Sequence, residues 1–238
     1  MKDFNRFIAD STHKELNPKF WDKNKKLLPE VREALGNTAM SWAEFADIPM
    51  EAIEDVVLVG GNASYFYGKE SDLDVHLVLD TDEISECTDL LKDYLRAKKR
   101  LWGLLHDVTV RGSEVELFGE DSNDKRPVSL GRYSLNTNKW IDEPTPDQLP
   151  DIDDIDIHNK VENWVEMIDD VIEEGVTSKE ALDKLENKLK NMRMKSLTHN
   201  KSEFSEGNLV YKLLRNLGYV DKLAEYSRKV VDDELSLN

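Results

Sequence analysis

Asp72 and Asp74 stand two residues apart in a segment that alternates strictly, with Leu73, Val75, Leu77 and Leu79 on one side and Asp72, Asp74 and His76 on the other. This is the two-residue period of a β-strand, so both carboxylates share a face, with Cα atoms about 7 Å apart. Like charges so placed raise each other's pKa and resist joint ionisation, a cost that a divalent cation relieves. Magnesium favours carboxylate and phosphate oxygens together, so the pair points to a phosphate-bearing substrate. Glu116, between Val115 and Leu117, reads as part of a later strand. It supplies either a third acidic ligand or the base for an attacking hydroxyl, and Glu114 on the same strand face competes with it for that place. Three carboxylates with two cations make the arrangement for in-line displacement at phosphorus. Gly60-Gly61, at the end of a strand, lets backbone N–H groups approach a triphosphate. A P-loop does not fit, because six residues separate Gly61 from Gly68 and Glu70 follows Lys69. His76 is read as a structural hydrogen-bonding residue.

The elements that must position these groups are legible nearby. Val56 to Val59 is a β-branched run stopped by glycine, a buried strand feeding a tight turn. Glu83 to Leu105 has helical periodicity, with Ile84, Cys87, Leu91, Leu95, Trp102 and Leu105 along one side. His106–Arg111 and Glu114–Phe118 read as two strands joined at Gly112-Ser113. Upstream, Asn17 to Ala34 is expected to be a helical lead-in entered at Pro29. Ser41 then caps a short helix over Trp42–Ala46, and another short helix follows near Met50–Glu54.

Pro144, Pro146 and Pro150 among acidic residues mark a boundary at Asp142 to Asp156. Beyond it all periodicity is helical. Val161, Trp164, Val165, Ile168, Val171 and Ile172 form one stripe, and a second helix opens on the capping box Thr177 to Glu180. A third helix follows Ser205 and stops at Gly218, and a fourth covers Leu223–Glu234. The expected organisation is residues 1–150 as an α/β (α+β) domain, a small mixed sheet flanked by helices, and residues 151–238 as an all-helical C-terminal domain. Trp102, Trp140 and Trp164 are assigned to the core.

The chain has 238 residues and a formal charge of −17, which opposes long-range attraction to nucleic acid. Against that background, Lys184 to Arg215 holds eight cations and three acids. Arg193, Lys195, Lys212 and Arg215 are its candidates for contact with phosphate, weighed against an ordinary solvated helix face. Cys87 is the sole cysteine, which excludes an intrachain disulfide and a Cys-rich zinc site. The sequence offers no signal peptide or membrane span, and a cytoplasmic location is expected.

The pattern hydrophobic-Gly-Gly, ten residues, Asp-hydrophobic-Asp, then hydrophobic-Glu-hydrophobic resembles the polymerase β superfamily of nucleotidyltransferases. More narrowly, LNPKFWD, GGNASYFYGKESDLDVHL, GSEVELFGEDSN and SEFSEGNLVYKLLRNLGYVDKL look like a group of predicted nucleotidyltransferases of tailed bacteriophages. The resemblance implies a twisted mixed sheet, a nucleoside triphosphate such as ATP, Mg²⁺ or Mn²⁺ held by Asp72, Asp74 and Glu116, and release of pyrophosphate. It implies a phosphate-binding turn of Gly60, Gly61 and Ser71. Gly61 stands where serine is frequent, which passes the side-chain contact to Asn62 or Ser64, and Glu116 stands where aspartate is commoner. The acceptor is left open among an RNA 3′ end such as that of tRNA, a protein and a small molecule. Two rivals stand beside this expectation: a nucleotide-binding or host-interaction module without turnover, and an assembly protein using its acidic surface.

Overall fold

The run from Ile53 to Val59 forms the first strand of a six-stranded sheet in the computed structural model, which describes residues 11–69, 71–124, 130–146, 154–200 and 204–236. The strands are β1 (Ile53–Val59), β2 (Leu73–Leu79), β3 (Thr109–Val110), β4 (Ser113–Asp121), β5 (Arg132–Ser134) and β6 (Lys139–Asp142). Their order is β3-β4-β2-β1-β5-β6, with β2 and β4 parallel and the other neighbours antiparallel. A parallel pair needs a crossover, and helix α2 (Thr88–Leu105) supplies it. Among the described residues the molecule is thus a mixed α+β structure with a six-stranded mixed sheet and six helices.

The alternation in β2 sorts the two faces. Leu73, Val75, Leu77 and Leu79 are fully buried and share a core with Val56, Leu58, Leu117 and Tyr133. That core is closed by α1 (Pro29–Phe45), through Val31, Leu35, Ala39, Trp42 and Ala43, and by Leu91 and Leu95 of α2. Asp74, His76 and Val78 occupy the opposite face and are half-buried. The hydrophobic face therefore fixes the register and, with it, where the acids point.

Several local expectations are corrected. Residues 17–28 are turns, with an isolated bridge Trp21↔Leu27, because Asn17 and Asp22 accept hydrogen bonds from nearby backbone N–H groups. Pro29 does open α1, which then runs unbroken through Gly36, Asn37, Thr38 and Ser41. Its apolar stripe continues across the expected break, and the Thr38 hydroxyl donates to the Ala34 carbonyl at 2.9 Å instead of capping a new helix. Near Met50 there is only a three-residue 3₁₀ turn, Met50–Ala52, before β1 begins. Helix α2 starts at Thr88, leaving Cys87 exposed ahead of it, and Leu105 is 60% exposed. The β3–β4 turn is Arg111-Gly112, both at positive φ as a two-residue hairpin requires. The β5–β6 hairpin was not anticipated. Its short strands carry little periodicity, and Trp140 packs by stacking on Trp21 at 4.6 Å.

Backbone contacts divide the described residues into two units, one within 7–149 and a second within 150–238. In the second unit the described elements are α3 (Asp154–Glu173), α4 (Lys179–Asn200), α5 (Glu206–Asn216) and α6 (Tyr219–Leu235). Ile157, Val161, Trp164 and Ile168 of α3 are buried, as are Leu182, Leu185 and Leu189 of α4 and Leu209, Val210, Leu213 and Leu214 of α5. The cap of α4 is Ser178, one residue later than the capping box placed it, and its Oγ accepts from Ala181 N. The acidic, proline-bearing boundary falls in part on residues 147–153, outside those described. No described helix is long and apolar enough to cross a membrane.

Candidate active site

The acids come together through the β2–β4 ladder. Asp74 is the direct register partner of Glu116 on β4 and of Val59 on β1. Neighbouring strands lie about 4.8 Å apart, and ladder partners point to the same face, so Asp74 and Glu116 project side by side. Asp72 precedes the first residue of β2 on that same face. Glu114, one step before the Leu73↔Val115 pair, lies level with Asp72 and is exposed. Among the described residues, however, no three His, Cys, Asp or Glu side chains gather closely enough to hold a metal ion.

Glu116 has a cation of its own. Lys99 of α2 reaches the carboxylate, with Nζ to Oε2 at 2.8 Å, and its ammonium also lies 5.5 Å from the Phe118 ring centroid. Like charges directly opposite on a ladder destabilise the sheet, and Lys99 offsets that repulsion. The lysine and glutamate side chains are 34% and 48% exposed, so water screens the pair and its net worth is small, about 0.2–1 kcal/mol.

The glycine bend touches the aspartate. Gly60 has φ 75°, and a Cβ added there would fall 1.8 Å from Asp74 Oδ2. Only glycine can take that backbone conformation with a carboxylate so near. From Gly60 the chain makes a 3₁₀ turn, Gly61–Ala63, and a loop that returns to Asp72.

The polar side chains of that loop are engaged in holding it. Asn62 is buried, and its amide donates to the carbonyls of Ser71 and Asp72, both at 2.8 Å, and accepts from Asn17 Nδ2 at 2.9 Å. Both amide hydrogens are used, which leaves none for a phosphate. Ser64 is fully buried and donates to the Gly61 carbonyl while accepting from Phe66 N. Ser71 Oγ accepts from Gly68 N at 2.8 Å. The N-terminal segment clamps the same loop: Trp21 Nε1 donates to the Asn62 carbonyl, and His13 stacks on Tyr67 at 3.8 Å.

A second charged group on the acid face escaped the sequence reading. Glu120 is 6% exposed, takes both terminal nitrogens of Arg132 at 2.9 and 3.1 Å, and accepts from His76 Nδ1 at 2.9 Å. Burial alone would raise the Glu120 pKa, but the hydrogen bonds from His76 and Arg132 outweigh it and hold the carboxyl below its ordinary value. His76 is thus a hydrogen-bonding residue two positions along β2 from Asp74. A signal for Glu120 existed in its alternation with Glu116; Arg132, on the unforeseen β5, gave none.

Of the cations in the second unit, Arg193 lies 4.6 Å over the Tyr211 ring and donates to Asn208 Oδ1 at 3.1 Å. Lys195 and Arg215 are exposed, and Lys212 is half-buried on α5.

No protein-family model matches the chain. The search of curated proteins finds no match either. Among solved structures the chain is similar to a STING-associated CdnE c-di-GMP synthase from Capnocytophaga granulosa, with 14% identity, 89% of this chain and 70% of that chain covered, and a TM-score of 0.25. A score that low establishes no common fold, and the chemistry below rests on this chain's own residues.

Proposed function

We propose that the chain is a nucleotidyltransferase. An acceptor hydroxyl attacks the α-phosphorus of a nucleoside triphosphate, the bond from that phosphorus to the α–β bridging oxygen breaks, and pyrophosphate leaves with the electron pair. The observation that carries this reading is the Asp74 carboxylate lying against the Gly60 backbone with Glu116 level with it across the ladder. The motif resemblance to the polymerase β superfamily supports it.

Asp72 and Asp74 are the residues that would hold Mg²⁺ or Mn²⁺. Their chemistry fits, because magnesium commonly takes one or two protein carboxylates and completes its shell with water and substrate phosphates rather than needing a three-acid cage. When bound, the ion neutralises phosphate charge and eases ionisation of the attacking hydroxyl. The Gly60-Gly61 backbone lies beside the aspartates to receive the leaving phosphates. Asn62, Ser64 and Ser71 keep that bend in shape. Glu116 takes the acceptor proton once Lys99 has let it go. Most of the acceleration comes from positioning and from fixed charge. In the proposed helical C-terminal domain, residues 151–238, Arg193, Lys195, Lys212 and Arg215 are the groups suited to an anionic ligand.

The direct test incubates the protein with each labelled nucleoside triphosphate, Mg²⁺ or Mn²⁺ and total cell extract, then divides the product between ribonuclease and protease. Ribonuclease-sensitive label identifies an RNA acceptor, protease-sensitive label a protein, and resistance to both a small molecule. No transfer with any nucleotide defeats the proposal.

A second reading, nucleotide binding without turnover, is favoured by one observation: Lys99 occupies Glu116. The labelled-transfer assay separates the two readings, and Lys99→Met tests whether Glu116 can reach the cation as well as the acceptor proton. If Glu116 joins the working cation site, removing its competitor raises Mn²⁺ affinity about two- to fivefold, the range set by an exposed ion pair. Titration of free Mn²⁺ by electron paramagnetic resonance measures it; an unchanged affinity would leave Glu116 out of the site.

A further inference from the structure

Helix α2 buries Leu91 and Leu95 against the sheet, yet its outer side is also apolar. Leu90 is 66% exposed, Leu101 45% and Leu104 83%, and Tyr94 and Ala97 stand exposed between them. Single exposed leucines are ordinary. These five recur at steps of four, three, four and three residues, the spacing of a coiled-coil seam. The 18 residues of the helix make it about 27 Å long. The Tyr94 ring is fixed in place by its hydroxyl, which donates towards the Ala46 carbonyl and Asp47.

The charges beside the seam say what fits it. Along one flank the amino-terminal half carries Asp89 and Asp93, and the carboxy-terminal half carries Arg96 and Arg100. In a parallel copy this flank would lie beside the opposite one, which carries Leu91, Lys98 and Leu105 and no acid, so its own acids and bases would never meet. An antiparallel copy, related by a two-fold axis at Ala97, sets Asp93 of each chain beside Arg100 of the other, Leu90 against Leu104 and Tyr94 against Leu101. Alanine at the axis allows the two helices to approach closely. This is the self-complementary pattern of a two-fold interface, where one patch meets its own copy.

We propose that α2 is the interface of a homodimer in which two copies of this helix pack antiparallel. The seam turns away from the sheet, and the sheet's other face carries Asp74 and Glu116, so pairing leaves the acids uncovered. Two helices of this length bury an area at the low end of specific interfaces, which predicts a reversible dimer in the micromolar range.

Sedimentation velocity on the full chain, from about 1 to 200 µM, tests this. The expected result is a shift with concentration from 27.4 kDa toward twice that mass. Leu101→Glu with Leu104→Glu alters only exposed positions, so melting should be unchanged while the shift disappears. Arg100→Asp should weaken association at least tenfold, and adding Asp93→Arg should restore it, since in an antiparallel pair the reversed charges again meet their opposites. A chain that stays monomeric at every concentration, a dimer indifferent to the glutamates, or a charge reversal that fails to restore pairing would each overturn the proposal.

Discussion

Asp74→Asn is expected to reduce nucleotide transfer by about 10³-fold or more, while the protein stays folded and keeps its triphosphate affinity within a few-fold. Charge stabilisation through a coordinated cation contributes several kcal/mol in the transition state, and about 1.4 kcal/mol corresponds to a factor of ten in rate. Asparagine keeps the size and shape of the side chain beside Gly60, where a Cβ would already collide with Asp74 Oδ2. What changes is the charge. The measurement is single-turnover release of pyrophosphate, which separates chemistry from binding. Equal rates for the wild type and the variant would remove Asp74 from the mechanism and overturn the assignment of the cation to it.

The largest effect on stability is expected at the buried pair. Arg132→Ala leaves the Glu120 carboxylate buried, with the hydrogen bond from His76 still in place. Breaking a buried pair from one side costs about 3–5 kcal/mol, whereas replacing both members with apolar residues is often close to neutral. Glu120→Leu combined with Arg132→Met should therefore recover much of what either change alone loses, read from urea midpoints at constant slope. The pH dependence follows from the direction of the Glu120 shift. Its folded pKa is depressed, so the contribution is complete above the ordinary carboxyl value of 4.5 and is lost as pH falls through the lower folded value. The difference between wild type and Arg132→Ala should hold at neutral pH and shrink in acid, as pH falls first through the Glu120 value in the variant, where burial raises it, and then through the lower value in the wild type. A difference that persists undiminished in acid would assign the effect to packing of the arginine stem rather than to the ion pair.

The residues that could be read ahead of the structure were those whose spacing carries geometry. Alternation over Asp72 to Leu79 placed β2 and its faces, because a half-buried strand must repeat every second residue. Glycine at 60 was legible as a turn, and positive φ gives the reason. What spacing cannot convey is which side chains find each other across the fold. Asn62 is a candidate phosphate contact because Gly61 stands where serine is frequent, but Asn17, Trp21, Ser71 and Asp72 take up its polar groups. Lys99 belonged to a helix face with no visible tie to Glu116, and Arg132 to a strand of three residues, too short for any period to emerge. The uninterrupted α1 is a case of tertiary burial overriding local breakers at Gly36, Asn37 and Thr38.

The adjacency of Asp74 and Glu116 also implies a compromise written into the native state. The protein holds two carboxylates side by side on one ladder, and Lys99 reaches one of them through a solvent-screened contact. Glu116→Gln should therefore melt at a higher temperature than the wild type by a degree or more, in scanning calorimetry at low salt, whatever it does to turnover. Under the proposed activity, robustness is surrendered at this spot so that the resting molecule stands ready for a doubly charged guest.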